Sequence, residues 1–329
     1  MSGLLSVGDP PEPAVVVVGS ANLDLVVPVP RHAGASETIL GGLLARNAGG
    51  KGANQAVASA RAGGASTTFV GAVGDDDGAE LLASSLADAG VRTDLLRRVD
   101  VPTGIAMISV SPDGENAIVV APGANGEVRV DGDVAGRIAA CHVLLAQLEV
   151  PQEVVLAAAR ARRSGTRFVL NAAPSAALVP GLLEEVDVLV VNEHEARDLV
   201  AGAAGRTAGP DGAGALDSGG LAAALLTHVP AVVVTLGGEG AIVAAREAQP
   251  VLVPAHAVRP VDTTGAGDTF CGVLAAALAT GDDLVAAAGR ASAAGALAVT
   301  RPGAQSAVPT HDEVSALWTS TPRPAEPLP

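Results

Sequence analysis

The chain has 329 residues, 49% of them hydrophobic and 17% charged, enough apolar material for the core of one large α/β domain or two smaller ones. A formal net charge of −15 and aromatic residues at 1% argue against nucleic acid as a partner, which needs clustered cations and stacking platforms. Two cysteines, Cys141 and Cys271, each in an apolar stretch, make neither a disulfide framework nor a metal cluster and point to free thiols in a reducing compartment.

Residues 1–13 are Pro-rich and lack the basic start and long apolar centre of a signal peptide, and no later run reaches the ~18 apolar residues of a membrane helix. The expectation is a cytoplasmic protein, not membrane-bound, with residues 1–13 as a disordered tail. Ala14-Val-Val-Val-Val-Gly19 is a β-branched run of the kind buried on both faces of a parallel sheet, and Asn22 and Asp24 stand at its end. Residues 25–48 and 103–121 read differently, as short alternating pieces; Pro112-Asp-Gly114 between two strand-like runs predicts a hairpin turn. Two such segments can pair into one small β lid. Between them Gly49-Gly-Lys-Gly-Ala-Asn-Gln-Ala56 opens a helix that runs through Ala62 and stops at Gly63-Gly64. A strand over 67–71 and a helix over 78–89 follow.

From residue 143 the alternation becomes regular: strand 143–149, helix 151–163, strand 167–171, strand 187–192 leading into a helix from Glu193, and strand 231–235. The pattern predicts an α/β fold, a doubly wound, mainly parallel sheet flanked by helices with right-handed crossovers, over residues 14–318. Residues 204–220 have turn composition and predict a mobile surface loop, and 319–329 a disordered Pro-rich tail.

The predicted strands end in polar residues: Asn22 and Asp24, Glu149, Asn171, Asn192 with Glu195, and Thr235. Ligands of open α/β sheets bind beyond the carboxyl ends of the strands, so these side chains should converge on one cleft. Singly, each has a plainer role as turn former, solvated strand end or first-turn helix acid. The most informative stretch is Asp262-Thr-Thr-Gly-Ala-Gly-Asp268, which leads into an apolar helix. Small residues there let the backbone approach a ligand, and the unpaired N–H groups of a first helical turn make an anion site without any lysine. Asp268 beside that anion is either a helix cap or a general base. Gly50-Lys51-Gly52 is no Walker A loop, which needs Ser or Thr after the lysine; its spacing fits a backbone brought close to a small polar ligand, with Lys51 and Asn54 as donors. The dinucleotide fingerprint and the zinc and serine hydrolase motifs are missing.

Gly49-Gly-Lys-Gly-Ala-Asn-Gln-Ala56 and Asp262-Thr-Thr-Gly-Ala-Gly-Asp-Thr-Phe270 resemble the two signatures of the ribokinase/PfkB carbohydrate kinases, over residues 15–318 or so. Gln147-Leu-Glu149 and Val299-Thr-Arg-Pro-Gly-Ala-Gln305 are similar to the ribokinase branch of that family. The resemblance implies a β lid that clasps a homodimer, and ATP-dependent phosphorylation of D-ribose at O5, or of deoxyribose, another sugar or a nucleoside in a related member. It implies that Asn22, Asp24, Gly50, Lys51, Asn54 and Glu149 hold the sugar, that Asp268 is the base, and that the Gly265, Ala266 and Gly267 amides form the anion hole. For the nucleotide it implies Asn192 at the phosphates, Glu195 ordering the waters of Mg2+, and Thr235, Leu236, Gly237, Gly238, Glu239 and Gly240 lining the ATP site, with Gly267 and Asp268 at the transferred group. It further implies K+ against the Asp262 side chain and the carbonyls of Thr264, Ala298, Arg301 and Gly303. Ser292 stands where such kinases usually carry His or Asn near the adenine, and Ala307 where a Ser often completes the cation site. With so few aromatics, adenine is expected between aliphatic side chains. A sugar-binding regulator without turnover and a nicotinamide dehydrogenase are the readings from other classes; the intact Asp268 loop speaks against the first and the missing fingerprint against the second.

Overall fold

A computed structural model describes residues 14–203, 216–320 and 324–328. In chain order its strands are β1 (Ala14–Val18), β2 (Asn22–Pro28), β3 (Ala45–Gly49), β4 (Ser66–Val73), β5 (Arg92–Arg98), β6 (Gly104–Val110) and β7 (Asn116–Ala121). They continue as β8 (Val143–Ala146), β9 (Arg167–Asn171), β10 (Val188–Asn192), β11 (Ala231–Thr235), β12 (Gly240–Ala245), β13 (Val251–Pro254) and β14 (Glu326–Pro327). The helices are α1 (Lys51–Val57), α2 (Asp77–Asp88), α3 (Gly132–Ala140), α4 (Gln152–Ala161), α5 (Leu182–Glu185), α6 (Glu193–Ala203), α7 (Ser218–Leu225), α8 (Ala266–Ala279), α9 (Leu284–Ala298) and α10 (His311–Ser320).

The main sheet runs β14-β13-β12-β11-β10-β9-β8-β1-β4-β5. From β11 to β5 every pairing is parallel, while β12, β13 and β14 add an antiparallel edge. In β1, Val15 and Val17 enter one core and Val16 and Val18 the other, so the strand has no polar face and reads as an unbroken apolar run. The first core lies under α1, α2, α8, α9 and α10, the second under α3 to α7. From β1 the chain winds outward to β4 and β5, then returns to β8 on the other side of β1 and winds away through β9, β10 and β11. The order therefore reverses between β1 and β8, the place where a doubly wound sheet opens a crevice at its carboxyl edge.

A second sheet, β3-β2-β6-β7, is the expected lid. It begins at Asn22 rather than at residue 25, so Asn22 and Asp24 sit on a lid strand. The hairpin between β6 and β7 closes with the Gly114 N–H donating to the Ser111 carbonyl, at a Gly114 φ of 85° that a side chain would strain.

The strand expected over 143–149 stops at Ala146, because the Leu148 N–H turns aside to the Ala173 carbonyl. The charged edge strand β5 and the antiparallel β12 to β14 were not expected. Of the turn-rich stretch, residues 204–215 lie outside the described residues, as does the tail expected at 1–13; Asp217 caps α7 by accepting from the Gly220 N–H at 2.8 Å. Within the tail expected from 319, α10 reaches Ser320 and Glu326–Pro327 pairs with β13. Among the described residues no helix is long and apolar enough to cross a membrane.

Candidate active site

Asp268 lies in the first turn of α8, whose N-cap is Gly265 at a left-handed φ of 72°. Its carboxylate does not cap the helix. Oδ2 accepts from Asn54 Nδ2 and Oδ1 from Gln55 Nε2, each at 3.0 Å, and the side chain is buried. The Ala266 N–H is taken by the Thr263 carbonyl at 3.3 Å. Among the described residues nothing accepts from the N–H groups of Gly265, Gly267 or Asp268, so these remain for an anion at the positive end of α8. A Cβ on Gly267 would meet no atom within 4 Å, which leaves the cradle open on that side.

The Gly-Gly-Lys-Gly turn packs closely on the chain leaving β1. A Cβ on Gly50 would stand 2.7 Å from the Asn22 backbone nitrogen, and one on Gly52 would stand 2.6 Å from the Gly19 backbone carbon. Both glycines let α1 start hard against that chain. That close approach delivers Lys51, Asn54 and Gln55 to the switch point. Glu149 locks the junction: its Oε2 accepts from the Ser20 hydroxyl at 2.5 Å and from the Lys51 N–H at 3.0 Å, so it is a cap for α1 rather than a solvated strand end.

On the lid side, Asn22 Oδ1 accepts from Asn125 Nδ2 at 2.7 Å, and Asn125 also clamps the Ala21 backbone through both its N–H and its carbonyl. Asp24 is half-buried near two further carboxylates. Burial first, then Glu149 and Asp268, push its carboxyl up to about 7. Lys51 answers that charge. The Asp268 carboxylate raises its pKa most, against the opposing effect of burial and with help from Glu149 and Glu195.

A small polar hollow of about 140 Å³ is bounded by Lys51, Asn171, Asn192, Glu195, Gly265, Gly267 and Asp268. Asn192 and Glu195 form a reciprocal capping box on α6, with Glu195 N–H donating to Asn192 Oδ1 and Asn192 N–H to Glu195 Oε2, both at 2.8 Å. Burial raises the Glu195 carboxyl more than the Asn192 N–H and Lys51 lower it. Thr235 and Gly267 also line a larger, mostly apolar cavity of about 430 Å³, so the two spaces adjoin there. Of the six residues 235–240, the cavity takes Thr235, Gly237, Gly238 and Gly240; Leu236 packs against the core instead, and Glu239 is not in the wall. The remaining wall includes Phe270 and Val299 from the two motifs, Ser292, and residues without a sequence signal, among them His256, Val258 and Ala296.

Beside the α8 loop, Asp262 joins two segments: Oδ1 accepts from the Thr264 N–H at 2.9 Å and Oδ2 from the Gly303 N–H at 2.7 Å. Burial raises this carboxyl, but the Gly303 and Thr264 N–H groups outweigh it and hold it below the usual range. The Ala298 carbonyl already accepts from the Arg301 N–H at 3.1 Å. All the donors here are oxygens, a carboxylate and backbone carbonyls, which suit a hard cation.

The model of the pfkB family carbohydrate kinases matches residues 12–311. The chain belongs to this family. As a carbohydrate kinase it is a phosphotransferase, and several ribokinases are similar to it along nearly their whole length. It is 36% identical to the ribokinase of Haemophilus influenzae over 306 residues, 91% of this chain and 96% of that one. To the ribokinase of Bacillus subtilis it is 37% identical over 307 residues, covering 92% and 98%. Among solved structures, a ribokinase from Thermotoga maritima superposes with a TM-score of 0.84 at 33% identity, over 93% of this chain and 99% of that one. The Arabidopsis thaliana ribokinase complexed with ribose and ATP gives 0.81 at 32%, covering 93% and 98%. In this kinase, then, Lys51, Asn171, Asn192, Glu195, Thr235 and Asp268 gather round one hollow, and the residues that hold the site's side chains without being singled out in the sequence are Ser20, Gln55, Asn125, Gln147 and Gln305. Gln55, Gln147 and Gln305 stood inside the quoted motifs, and only their burial marks them.

Proposed function

We propose that this kinase transfers the γ-phosphoryl group of ATP to O5 of D-ribose, giving ribose 5-phosphate and ADP, with Asp268 as general base. The observation that carries the reading is the position of Asp268: a buried carboxylate, held by two amides, facing a polar hollow that adjoins a larger apolar cavity at Thr235 and Gly267. The nucleotide base fits the larger space between Val258, Ala296 and Val299, with the phosphates passing Gly267 toward the α8 amides. The sugar takes the side of Asn22, Asp24, Gly50, Lys51, Asn54 and Glu149. Its 5-hydroxyl oxygen attacks phosphorus in line, the new O–P bond forms as the bond to the ADP oxygen breaks, and the hydroxyl proton passes to Asp268. The Gly265 and Gly267 N–H groups and Lys51 stabilise the negative charge spread over the migrating group. Bound Mg2+, held by waters on Glu195 beside Asn192, would neutralise the phosphates. A potassium ion against Asp262 and the carbonyls of Thr264, Ala298, Arg301 and Gly303 would add positive charge behind the anion cradle. The same reading puts the enzyme in the cytoplasm as a homodimer joined through the lid.

Two measurements test it. Steady-state rates over a panel of ribose, deoxyribose, other sugars and nucleosides should give ribose the highest kcat/KM; a clear preference for another acceptor overturns the substrate. Asp268→Asn should retain ribose binding in calorimetry and lose turnover by a factor of about 10² or more, the range of a positioned base. A variant with near wild-type turnover removes the base from the mechanism.

A further inference from the structure

An ionised carboxylate has no proton to give, so every group hydrogen-bonded to it must donate. Asn54 and Gln55 therefore turn their nitrogens to Asp268, and each amide oxygen is left facing away and needing a donor of its own. For Asn54 that donor is Gln305 Nε2, at 3.0 Å from Asn54 Oδ1. Gln305 Oε1 in turn accepts from the Ser85 hydroxyl at 2.6 Å. A hydroxyl can either donate or accept, so the chain ends at Ser85 without conflict. On the other branch Gln55 Oε1 accepts from Gln147 Nε2 at 2.5 Å, while Gln55 Nε2 is shared with Asn171 Oδ1 at 3.0 Å. Gln55 and Gln147 are fully buried, and Asn54 and Gln305 are 8% and 6% exposed, so water is poorly placed to replace a lost bond.

The branches differ in where they are anchored. Gln55, Gln147 and Asn171 belong to α1 and to the ends of central strands. Gln305 comes from the segment after α9 that also carries Gly303, whose N–H holds Asp262 at the start of the α8 loop. It thus ties the loop carrying the anion cradle to the helix carrying Asn54. Without the Gln305 N–H, the outward Asn54 oxygen is left buried and unsatisfied, which loosens the amide orientation that presents Nδ2 to the carboxylate.

We propose that Gln305 is a positioning residue of the phosphoryl transfer, fixing the orientation of Asn54 and through it the aim of Asp268. This rests on the reading of Asp268 as the base. The test compares Gln305→Leu and Ser85→Ala with the wild-type enzyme in full pH profiles with ribose and ATP, alongside thermal melting and ADP binding. Gln305→Leu should lower kcat about 10- to 100-fold, the scale of a misaligned reacting group, with a smaller change in ribose KM. Its acid limb should move to higher pH, because the carboxylate form has lost a fixed donor. Ser85→Ala should move the limb the same way and less far, and it decides the matter should Gln305→Leu not fold. An unchanged pH profile in the variants that fold, whatever their melting temperature, overturns the proposal. Asp268→Asn separates the two readings: if it stays active the base is wrong, whereas an inactive Asp268→Asn beside wild-type profiles for the Gln305 and Ser85 variants sinks this inference alone.

Discussion

Asp24 shows what it costs to gather carboxylates into one hollow. Its pKa of about 7 in the folded chain stands above the ordinary 3.8, raised by burial and by Glu149 and Asp268. Between those values the native state keeps a proton that the unfolded chain has released. Stability therefore falls as pH rises from about 4 through 7, and the loss levels off above 7, where both states are ionised. Asp24→Asn removes the titration. Melting temperatures of the ligand-free protein across pH 4 to 8 should decline less steeply in Asp24→Asn than in the wild type, while ribose affinity drops because a charged acceptor is gone. Parallel slopes in the two proteins would mean that Asp24 ionises freely. The sequence marks Asp24 as a polar residue after an apolar strand, but the proximity of Glu149 and Asp268, which sets its titration, exists only once distant segments meet.

At the scale of elements, the pairing of α1 with α8 is what brings Asn54 and Gln55 to Asp268, and two glycines of α8 have opposite duties in it. A Cβ on Gly272 would lie 2.4 Å from the Gln55 carbonyl and 2.7 Å from the Ala58 Cβ, so this glycine permits the close helix contact. Gly267 faces open space in both cavities. Replacing glycine by alanine inside a helix contributes about 1 kcal/mol through backbone entropy. At Gly272 a clash against backbone costs about 1–3 kcal/mol and outweighs that gain. Gly272→Ala should lower the melting temperature and also slow turnover, since α1 must shift. Gly267→Ala should melt at or above the wild-type temperature and still lose activity, because the new methyl fills the anion cradle. Calorimetry and initial rates on the two variants check this, and a Gly267→Ala enzyme with full activity would clear the cradle of its role. Sequence reading finds the α8 loop from its glycines and the parallel strands from their apolar runs. It does not show the close backbone packing that Gly50 and Gly52 permit, because a glycine that packs against backbone looks the same in sequence as one that faces a ligand. It misses β5, whose charged residues at the sheet edge carry no apolar run, and β12 to β14, which break the βαβ rhythm.

For the whole molecule the lid poses the remaining physical problem. Every residue of β7 is exposed, and Ile118, Val119 and Val120 are 54%, 62% and 43% exposed, with Leu40 and Leu43 at 89% and 92%. A flat apolar edge strand left in water invites pairing, and soluble chains normally blunt such edges with charge or bulges. This one carries neither over Ala117–Ala121. A second copy presenting the same strand would cover it, and a twofold contact needs only one self-complementary patch. The lid also begins at Asn22 and Asp24, so whatever steadies β2 steadies the sugar side of the hollow. Val119→Asp should convert a dimer to a monomer in sedimentation velocity and raise ribose KM several-fold with a smaller change in kcat, because Asp268 and the α8 amides stand on the main body. The core should be untouched, since Val119 contributes little buried area, and the melting of the isolated monomer should stay cooperative. A wild-type chain that sediments as a monomer at micromolar concentration would leave the lid's apolar face without a partner of its own kind.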